Sequence, residues 1–576
     1  MITIEHRDKR ELGGLDSLFV SFEYDKDIVN IVKSCGTYAY DKKSHEWEIP
    51  VTYLAYLLDN LTYFDDIELK LKRDDDEREH VCPKLIDEYR TKPFAYQLEG
   101  IEYGLNHDKF LLLDAPGLGK SLQLIYLAEE LKASGDVEHC LVICGIATLR
   151  ANWKKEICRH SRYDCRVIGE RRTKTGNVTW EGIPKRVEEL SSKIDEFFVV
   201  MNIESLRDER IVDAILNGPN KFGMMVFDEV HKAKGWLSIQ GKNLMKITAQ
   251  HMVGATGTLL TNNPLDAYVP LVWIGKEPKN SVTKFKSTYC LFDERTKGRI
   301  IGFKNVDVLK KEIDSCSLRR TKDLLELPER NFIDEHLTMD KAQSDLYFDL
   351  LGSVRNARKS SDERQRECLK RAQELCDKVE LKVDSLLSLI VRLKQATTCP
   401  STLTSSNVSS CKIDRAIELV EEIVSNGEKV VVFSMFKEPI YVLNDRLKSY
   451  SPLIGTGDMS DSEVSDNIDR FQNDQNAKVF LGTISKMGTG VTLTSASYMV
   501  FVDQPWTSSD YLQACDRIYR IGAKKSVFVY NLICDDTIDE KISKTIERKR
   551  AMSDYIIDNV SDDETLRVLE DYIDGI

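Results

Sequence analysis

The stretch LLLDAPGLGKS, which ends at Ser121, is the first whose residue types could do chemistry. An apolar run leads into a turn with Gly117 and Gly119, and Lys120 then opens a segment with helical periodicity. Glycines let backbone N–H groups approach a polyphosphate, a helix N-terminus favours anions, and lysine and serine meet phosphate and magnesium. The stretch therefore predicts a phosphate-binding loop rather than a plain glycine-rich turn, although Asp114 replaces the first glycine of the general pattern.

Two adjacent carboxylates, Asp228 and Glu229, end a second apolar run, MMVFDE. Buried carboxylates are costly unless a cation or hydrogen-bond donors face them. In phosphate-loop ATPases an acid at this place holds magnesium, and a neighbouring acid can activate the attacking water. We therefore assign Asp228, together with Ser121, to Mg²⁺ and Glu229 to the water, with ATP and Mg²⁺ as cofactors. Helix-capping acids are the alternative for either carboxylate alone.

A third candidate is QACDRIYRIG, which contains Arg517 and Arg520. Residues three apart share a face if the segment is helical. Arginines can stabilise the charge that develops when a phosphoryl group is transferred. We therefore expect Arg517 and Arg520 to be catalytic; a surface salt bridge is the alternative for Arg517 taken singly.

Two series of apolar strands must position these residues. The first is FLLLDA, CLVICG, EFFVVMN, MMVFDE and MVGATG, and the second is KVVVFSMF, KVFLGT, YMVFVD and SVFVYNLI. Continuous apolar strands separated by helical segments indicate parallel sheets covered on both faces. We expect one α/β lobe over 81–275 and another over 401–545, with mostly helical, charged residues at 276–400 and a C-terminal helical tail at 546–576.

Residues 1–80 differ in pattern and predict a small N-terminal domain. TYAYDKKSHEWEIP reads as a hairpin, with Tyr40 before the turn and Trp47 after it. The charge run at 72–80 predicts a solvated linker or the surface of a helix.

The composition of the 576 residues narrows the class of protein. Hydrophobic residues make up 42% and charged residues 30%, and no apolar run reaches the roughly 18 residues that span a bilayer. The start lacks a signal-peptide core, and the 14 cysteines include no Cys-x-x-Cys pair. We expect a cytoplasmic, monomeric protein with reduced thiols, no membrane partner and no structural zinc. The net charge of −13 argues against indiscriminate nucleic-acid binding but leaves room for a local basic groove.

Eight motifs extend these patterns to a family. DAPGLGKS, DEVH, GATGTLLTNN, LRRTKDLLELP, LKQATTCP, VVFSMF, MGTGVTLTSA and QACDRIYRIG follow in the order found in the Swi/Snf-type ATPases of helicase superfamily two. The resemblance covers roughly residues 93–545. It implies an α/β fold with two RecA-like parallel-sheet lobes, helical protrusions, ATP between the lobes and translocation along double-stranded DNA. Asp114 matches this family's loop, which begins with Asp.

The resemblance also implies roles for single residues. Nucleotide binding falls to Gln97, Asp114, Gly117, Gly119, Lys120, Ser121 and Gly490. Coupling of hydrolysis to lobe movement falls to His231, Thr256, Gly257, Thr258 and Gln513. DNA contact falls to Arg319, Arg320, Lys322, Gly488 and Thr492. Of these, Gln97 looks like the glutamine that reads adenine. The chain departs from the family at Pro116, Leu259 and Ala523, and Ala523 puts one contact near the arginine motif in doubt.

The small domain resembles that of the HepA-related annealing helicases. Tyr24-Asp25, Tyr40-Asp41 and Trp47 fill its characteristic positions. The resemblance implies binding of branched or forked DNA. A packing domain with tyrosine and tryptophan in its core is the alternative.

Together these patterns predict an ATP-dependent motor on double-stranded DNA that remodels or reanneals branched DNA in replication, recombination or repair. An RNA-directed helicase of the same superfamily and a DNA-binding scaffold with a vestigial ATPase are the alternatives. A chromatin remodeller is favoured less, because we recognise no histone-reader module. We expect association with a bacterial nucleoid, or with host cytoplasm if the chain is phage-encoded.

Overall fold

The computed structural model divides the chain into two compact units, Met1–Leu324 and Leu325–Ile576. It describes residues 2–7, 17–61, 64, 67–70, 80–145, 149–172, 178–233, 235–257, 259–260, 264–292, 300–324, 328–359, 370, 373–378, 386–406, 408–487, 491–520, 522–523 and 525–553. Thr258, Gly488 and Gly490 lie outside these ranges. Within them, no helix combines the length and apolarity that a membrane span requires.

The first unit begins with the small α+β domain that the sequence predicts. Its five-stranded mixed sheet consists of Ile2–Arg7, Ser17–Ser21, Ala39–Asp41, Glu46–Pro50 and Ile67–Lys70, and its helices are Lys26–Ser34 and Leu54–Leu61. Asp25 caps the first helix, because its carboxylate accepts from the backbone N–H groups of Asp27 and Ile28. The predicted hairpin is present, with Tyr40 paired to Trp47.

A seven-stranded parallel sheet forms the α/β lobe of the first unit, the predicted ATPase lobe. In spatial order its strands are Ser317–Leu318, Lys109–Leu112, His251–Ala255, Phe222–Asp228, His139–Cys144, Phe198–Asn202 and Cys165–Val167. The register aligns Asp228 with Ala255 on one side and Cys144 on the other, and Ala255 with Leu112. The residues that follow these strands therefore meet at one edge of the sheet.

Helices cover this sheet. They are Ala95–Asn106, Lys120–Ala133, Leu149–His160, Ile183–Ser191, Glu209–Asn217, Ile239–Leu244, Tyr268–Trp273, Val282–Tyr289 and Val306–Ser315. The lobe also contains two antiparallel strand pairs. They are Glu170–Arg172 with Val178–Trp180 and Cys290–Phe292 with Ile300–Phe303. The helix after the phosphate-binding loop is buried from Leu122 to Leu131, which fixes the loop against the core of the lobe.

Buried polar groups join the small domain to the ATPase lobe. Thr37 Oγ1 donates to Glu277 Oε2 at 2.6 Å, and Tyr53 Oη donates to Glu312 Oε2 at 2.7 Å. Tyr53 Oη is also 3.1 Å from Glu277 Oε1 and 2.9 Å from the hydroxyl of Tyr289. We call these five residues the carboxyl cluster. Because buried carboxyl groups need hydrogen-bond donors, the cluster makes the small domain an integral part of the first unit.

The second unit holds a six-stranded parallel sheet. In spatial order its strands are Arg330–Leu337, Val527–Cys534, Tyr498–Phe501, Val430–Ser434, Val479–Thr483 and Leu453–Gly455. Its helices are Lys341–Lys359, Leu386–Thr398, Cys411–Ser425, Lys437–Arg446, Asp461–Asn473, Ile484–Met487, Ser508–Cys515 and Ile538–Ser553. With both parallel sheets present, the predicted α/β class is confirmed.

The segment predicted as helical protrusions, 276–400, is more mixed than its composition indicates. Its strand Ser317–Leu318 belongs to the first sheet and its strand Arg330–Leu337 to the second. The second of these is an edge strand with mostly half-exposed side chains, so it lacks the continuous apolar run that marks the other strands.

Candidate active site

The phosphate-binding loop connects the strand that ends at Leu112 to the helix that begins at Lys120. Gly117 and Gly119 have φ angles of 90° and 78°, in the left-handed region that glycine adopts without a steric penalty. The ammonium of Lys120 donates to the backbone carbonyl of Asp114 at 2.7 Å. The loop therefore curves around the lysine, and its binding of phosphate stays a prediction.

Gln97 is buried beside this loop. Its Nε2 donates to the carbonyl of Leu118 at 3.0 Å, and its Oε1 accepts from the backbone N–H of Phe94 at 2.9 Å. A Cβ atom on Gly119 would lie 2.3 Å from the same Nε2, so no larger residue fits at Gly119 without displacing Gln97. The structure thus brings Gln97 to the loop, and its contact with adenine stays a prediction.

Arg320 occupies a different place from the DNA-contacting one that the resemblance implies. Its guanidinium forks onto the fully buried carboxylate of Asp114, with Nε 3.0 Å from Oδ1 and Nη2 2.7 Å from Oδ2. Nη2 also donates to Gln123 Oε1 at 2.6 Å, and Nη1 donates to the carbonyl of Tyr96. Because only 9% of this side chain is exposed, Arg320 supports the loop from within the lobe.

The neighbouring basic residues are less enclosed. Arg319 is exposed, and Lys322 is partly exposed at the start of the short helical turn Lys322–Leu324. Their contact with DNA stays a prediction.

Asp228 ends its strand next to an indole that the sequence pattern did not single out. Trp153 Nε1 donates to Asp228 Oδ2 at 2.8 Å, and the backbone N–H of Glu229 donates to Oδ1 at 3.1 Å. Burial and the charge of Glu229 raise the pKa of Asp228 to about 6, whereas Trp153 and Lys120 act in the opposite direction. The positive charge of Lys120 therefore favours the ionised form of Asp228.

Glu229 has a left-handed backbone, with φ of 56°. Side chains other than glycine adopt this region at a cost, and such residues concentrate at functional sites. The backbone N–H of Gly145 donates to the carbonyl of Asp228 at 2.8 Å, and a Cβ on Gly145 would lie 2.7 Å from the carbonyl oxygen of Glu229. The neighbouring strand end therefore fits closely around the turn that aims this carboxylate.

A chain of side chains runs from Glu229 to the adjacent strand end. His231 Nδ1 is 2.9 Å from Thr256 Oγ1 and 3.2 Å from Glu229 Oε2, and Thr256 Oγ1 is 3.3 Å from the same carboxylate oxygen. Gly257 follows against the loop, since a Cβ there would lie 2.6 Å from Pro116 Cγ. His231, Thr256 and Gly257 are thus brought together between Glu229 and the loop.

The donor set suits magnesium. Asp228 offers a carboxylate and Ser121, in the first turn of the loop helix, offers a hydroxyl; hard oxygen donors of this kind are what Mg²⁺ prefers. A carboxylate whose pKa is raised by burial gains a compensating charge when a cation binds. Ser121 and Asp228 therefore fit the ion.

The arginine motif of the second unit is not helical where the sequence pattern places it. The helix Ser508–Cys515 ends before Arg517, and turn-type hydrogen bonds follow, such as that from the N–H of Arg517 to the carbonyl of Ala514. The expectation that Arg517 and Arg520 share a helix face is therefore wrong. The helix ends early because its last turn tightens into bonds between residues three apart.

Both arginines instead contact the segment 491–493. Arg517 Nη1 donates to the carbonyl of Val491 at 3.2 Å and Nε donates to the carbonyl of Gln513 at 3.0 Å. Arg520 Nη1 donates to Thr492 Oγ1 at 2.8 Å. Thr492, expected to contact DNA, thus lies against an expected catalytic arginine, and Gln513 is bound to the other through its backbone.

Comparisons with known proteins identify the family of the chain. The chain matches the SNF2-related domain over residues 96–402 and the helicase conserved C-terminal domain over 411–522. An uncharacterized ATP-dependent helicase of Mycoplasma pneumoniae is 26% identical, with 93% of this chain and 50% of that protein covered. A putative ATP-dependent helicase/translocase of Bacillus subtilis is 24% identical, with coverages of 79% and 48%.

A RAD54-like DNA repair and recombination protein of Drosophila persimilis is also 24% identical, with 79% of this chain and 61% of that protein covered. The chain thus spans about half the length of the curated relatives it matches. Among solved structures, a Sulfolobus solfataricus SWI2/SNF2 ATPase core in complex with dsDNA is similar at a TM-score of 0.36 and 22% identity, covering 85% of this chain and 97% of that one. Because the SNF2-related domain alone matches more than half of the 576 residues, this chain belongs to the SNF2-related family of Swi/Snf-type proteins.

Proposed function

We propose that the protein is an ATP- and magnesium-dependent translocase that moves along double-stranded DNA and remodels or reanneals branched DNA. One observation carries the proposal: the phosphate-binding loop, Asp228 and Glu229 follow parallel strands that end at the same edge of one sheet. In α/β sheets this edge is where ligands bind. Hydrolysis of a nucleotide needs a loop that binds phosphate, a carboxylate that holds the metal ion and a carboxylate that activates water. All three parts lie at this one edge of the sheet.

Each group has a task in this proposal. Lys120 leaves the carbonyl of Asp114 to contact the β- and γ-phosphates, and Gln97 contacts the base. Glu229 polarises the attacking water as general base. Ser121 and Asp228 would hold Mg²⁺, which neutralises charge on the phosphate oxygens. Arg517 and Arg520 would stabilise the charge of the transition state.

His231 and Thr256 give the proposal its coupling step. They connect Glu229 to the end of the neighbouring strand through hydrogen-bond distances of 2.9–3.3 Å. Gly257, packed on the loop at Pro116, extends that connection. Loss of the γ-phosphate would therefore change the contacts of Glu229, and through His231 and Thr256 it would shift the end of the neighbouring strand.

The choice of DNA as substrate has separate support. The relatives named above include a helicase/translocase and a DNA repair and recombination protein. On the small domain, Tyr24 is 85% exposed and Tyr40 is 43% exposed. Tyr40 packs on Trp47 at 4.6 Å between ring centroids, and Lys33 lies 5.7 Å from the Trp47 ring. Trp47 itself is buried, so the exposed rings on which unstacked bases at a fork would stack are those of Tyr24 and Tyr40.

A comparison of nucleic acids tests the proposal. ATP hydrolysis is measured with linear duplex, forked DNA, single-stranded DNA and RNA of equal length at one salt concentration, since phosphate binding depends on salt. We expect duplex and forked DNA to stimulate most and a Lys120→Ala variant to be inactive. A larger stimulation by RNA would overturn the assignment in favour of an RNA-directed helicase, and absence of hydrolysis would favour a scaffold.

The small domain needs point variants rather than deletion. Removal of residues 1–80 would uncover Glu277 and Glu312, so a truncated chain would confound loss of binding with loss of folding. Tyr24→Ala and Tyr40→Ala leave the carboxyl cluster intact. We expect the double variant to lose any preference for forked over linear duplex, with hydrolysis on linear duplex unchanged.

A further inference from the structure

Three potential metal ligands meet on the surface where the chain enters the ATPase lobe. His80 Nε2 is 2.7 Å from Glu102 Oε1, and Cys82 Sγ is 3.4 Å from the same oxygen. The three donor atoms all lie within 4.8 Å of one another. His80 and Cys82 lie in a segment without helix or strand, whereas Glu102 belongs to the helix Ala95–Asn106.

The segment that carries His80 and Cys82 is held in place by one amide side chain. Asn106 Oδ1 accepts from the backbone N–H of Val81 at 3.0 Å, and Asn106 Nδ2 donates to the Val81 carbonyl at 2.9 Å. The amide therefore bonds both backbone groups of Val81, as a neighbouring strand would. On either side of Val81, His80 and Cys82 both reach the same carboxylate oxygen of Glu102. The ligands are thus ordered by a contact in which none of their own side chains takes part.

The donors are those that zinc selects. Imidazole nitrogen, thiolate sulfur and carboxylate oxygen bind Zn²⁺ at about 2.0–2.3 Å, which sets ligand-to-ligand distances of about 3.4–3.6 Å in a tetrahedron. The distance from Cys82 to Glu102 already has that length. The distance from His80 to Glu102 needs to open by less than about 1 Å, and with 68% of its side chain exposed His80 is free to make that movement.

We propose that His80, Cys82 and Glu102 form a zinc site with water as the fourth ligand. The site attaches two parts of the chain to each other. One is the segment that follows the small domain, and the other is the helix Ala95–Asn106, which carries Gln97 in its first turn. This departs from the expectation of no structural zinc, which rested on the missing Cys-x-x-Cys spacing. A His-x-Cys pair completed by a glutamate 20 residues further along has no such spacing.

Metal titration of the 576-residue chain tests the site. After removal of metal by a chelator, Zn²⁺ is titrated in competition with a chromogenic indicator. We expect one equivalent to bind with a dissociation constant near or below about 1 µM. Cys82→Ser and Glu102→Gln should each weaken binding at least about 10-fold, and Asn106→Ala should weaken it by about 10-fold through disorder of the segment.

The matched control is Cys158→Ser, which removes another exposed thiol of the first unit and should leave affinity unchanged. Co²⁺ serves as a spectroscopic probe, because a thiolate ligand gives a charge-transfer band that Cys82→Ser should abolish. Absence of that band in the wild type, or equal zinc affinity in the wild type, Cys82→Ser and Glu102→Gln, would overturn the proposal. Neither readout depends on ATP hydrolysis, so failure here is distinct from failure of the proposed function.

Discussion

The imidazole Nδ1 of His231 lies 2.9 Å from the hydroxyl oxygen of Thr256, with both residues at most 3% exposed. The backbone N–H of Thr256 donates in turn to the carbonyl of Leu112 at 3.1 Å, immediately before the phosphate-binding loop. The contact therefore joins the turn after one strand to the ends of two others. The imidazole is thus enclosed between Thr256 and the carboxylate of Glu229, which lies 3.2 Å from the same Nδ1.

Replacement of His231 by Ala should lower the ratio of DNA-stimulated to unstimulated ATP hydrolysis by a factor on the order of 10. The alanine removes the only imidazole in the described chain of contacts between Glu229 and Thr256. Thr256→Val should have the same effect, and the double variant should be no worse than either single one, because both act on one interaction. Steady-state rates with and without duplex DNA measure the ratio.

His139 supplies the control for that experiment. It is another buried histidine of the same sheet, and its Nδ1 is 3.0 Å from the Glu196 carbonyl at the opposite edge. His139→Ala should reduce stability but keep the stimulation ratio. Normal stimulation in the His231 variant would remove this residue from the coupling route.

Glu229→Gln should retain ATP binding while kcat falls at least about 100-fold, because an amide cannot accept the proton of the attacking water. The isosteric side chain keeps the left-handed backbone at this position. Equilibrium binding of ATP and single-turnover hydrolysis separate the two effects. Asp228→Asn is the comparison, since it should raise the magnesium concentration required instead. Hydrolysis at the wild-type rate in the Glu229 variant would refute the role of general base.

Arg320→Ala should destabilise the first unit by about 3–5 kcal/mol, because it leaves the buried carboxylate of Asp114 without its charged partner. Arg320→Lys should recover only part of this, since an ammonium cannot make the two-pronged contact. Urea unfolding measures the change. Arg319→Ala, on an exposed neighbour, should leave stability unchanged. A stable Arg320→Ala variant with weakened DNA affinity would restore the DNA contact that the family resemblance implies.

The carboxyl cluster should make the first unit less stable as pH rises. Burial, followed by the charge of Glu277, raises the pKa of Glu312 well above the 4.5 of an exposed glutamate, and burial also raises the pKa of Glu277. The folded state therefore holds a proton that the unfolded chain releases. That stabilisation is complete below pH 4.5 and is lost progressively until the pH passes the folded pKa.

Glu312→Gln tests this dependence, because the amide keeps a neutral side chain at every pH. Between the two pKa values, wild-type stability should fall by about 1.4 kcal/mol per pH unit for each proton, whereas the variant should be flatter and more stable at alkaline pH. Chemical unfolding of the full chain from pH 6 to 9 measures the slopes. Glu23→Gln, an exposed change in the small domain, is the control. Parallel slopes for wild type and Glu312→Gln would mean that the pair does not hold a proton.

Much of the nucleotide site could be predicted from sequence because its residues follow apolar strands. Lys120, Asp228 and Thr256 are each within a few residues of a strand end, and parallel strands bring their carboxyl ends to one edge. The period of the apolar residues predicts where each strand ends, and the order of the motifs predicts which site residue follows it.

Contacts between distant residues are what the patterns could not supply. Trp153 bonds Asp228 across 75 residues, and Arg320 bonds Asp114 across 206. Nothing in the periodicity of either segment specifies such a partner. One signal for the contact between Trp153 and Asp228 was available. Trp153 lies in the helix that follows the strand His139–Cys144, and that strand is the neighbour of the strand that ends at Asp228. The early end of the helix before Arg517 was missed because spacing alone does not distinguish a helix from a turn.

The carboxyl cluster also limits how the small domain can be exchanged between proteins. Thr37 and Tyr53 are matched to two acids on the ATPase lobe, so a graft of residues 1–70 alone would place hydroxyl groups against the wrong surface. A recipient lobe would need Glu277 and Glu312 at the same places, and a donor lobe stripped of the domain would need both acids neutralised. Recombination that moved the small domain between proteins would therefore select for inheritance of Glu277 and Glu312 together with it. A designed chimera should likewise carry both glutamates along with residues 1–70.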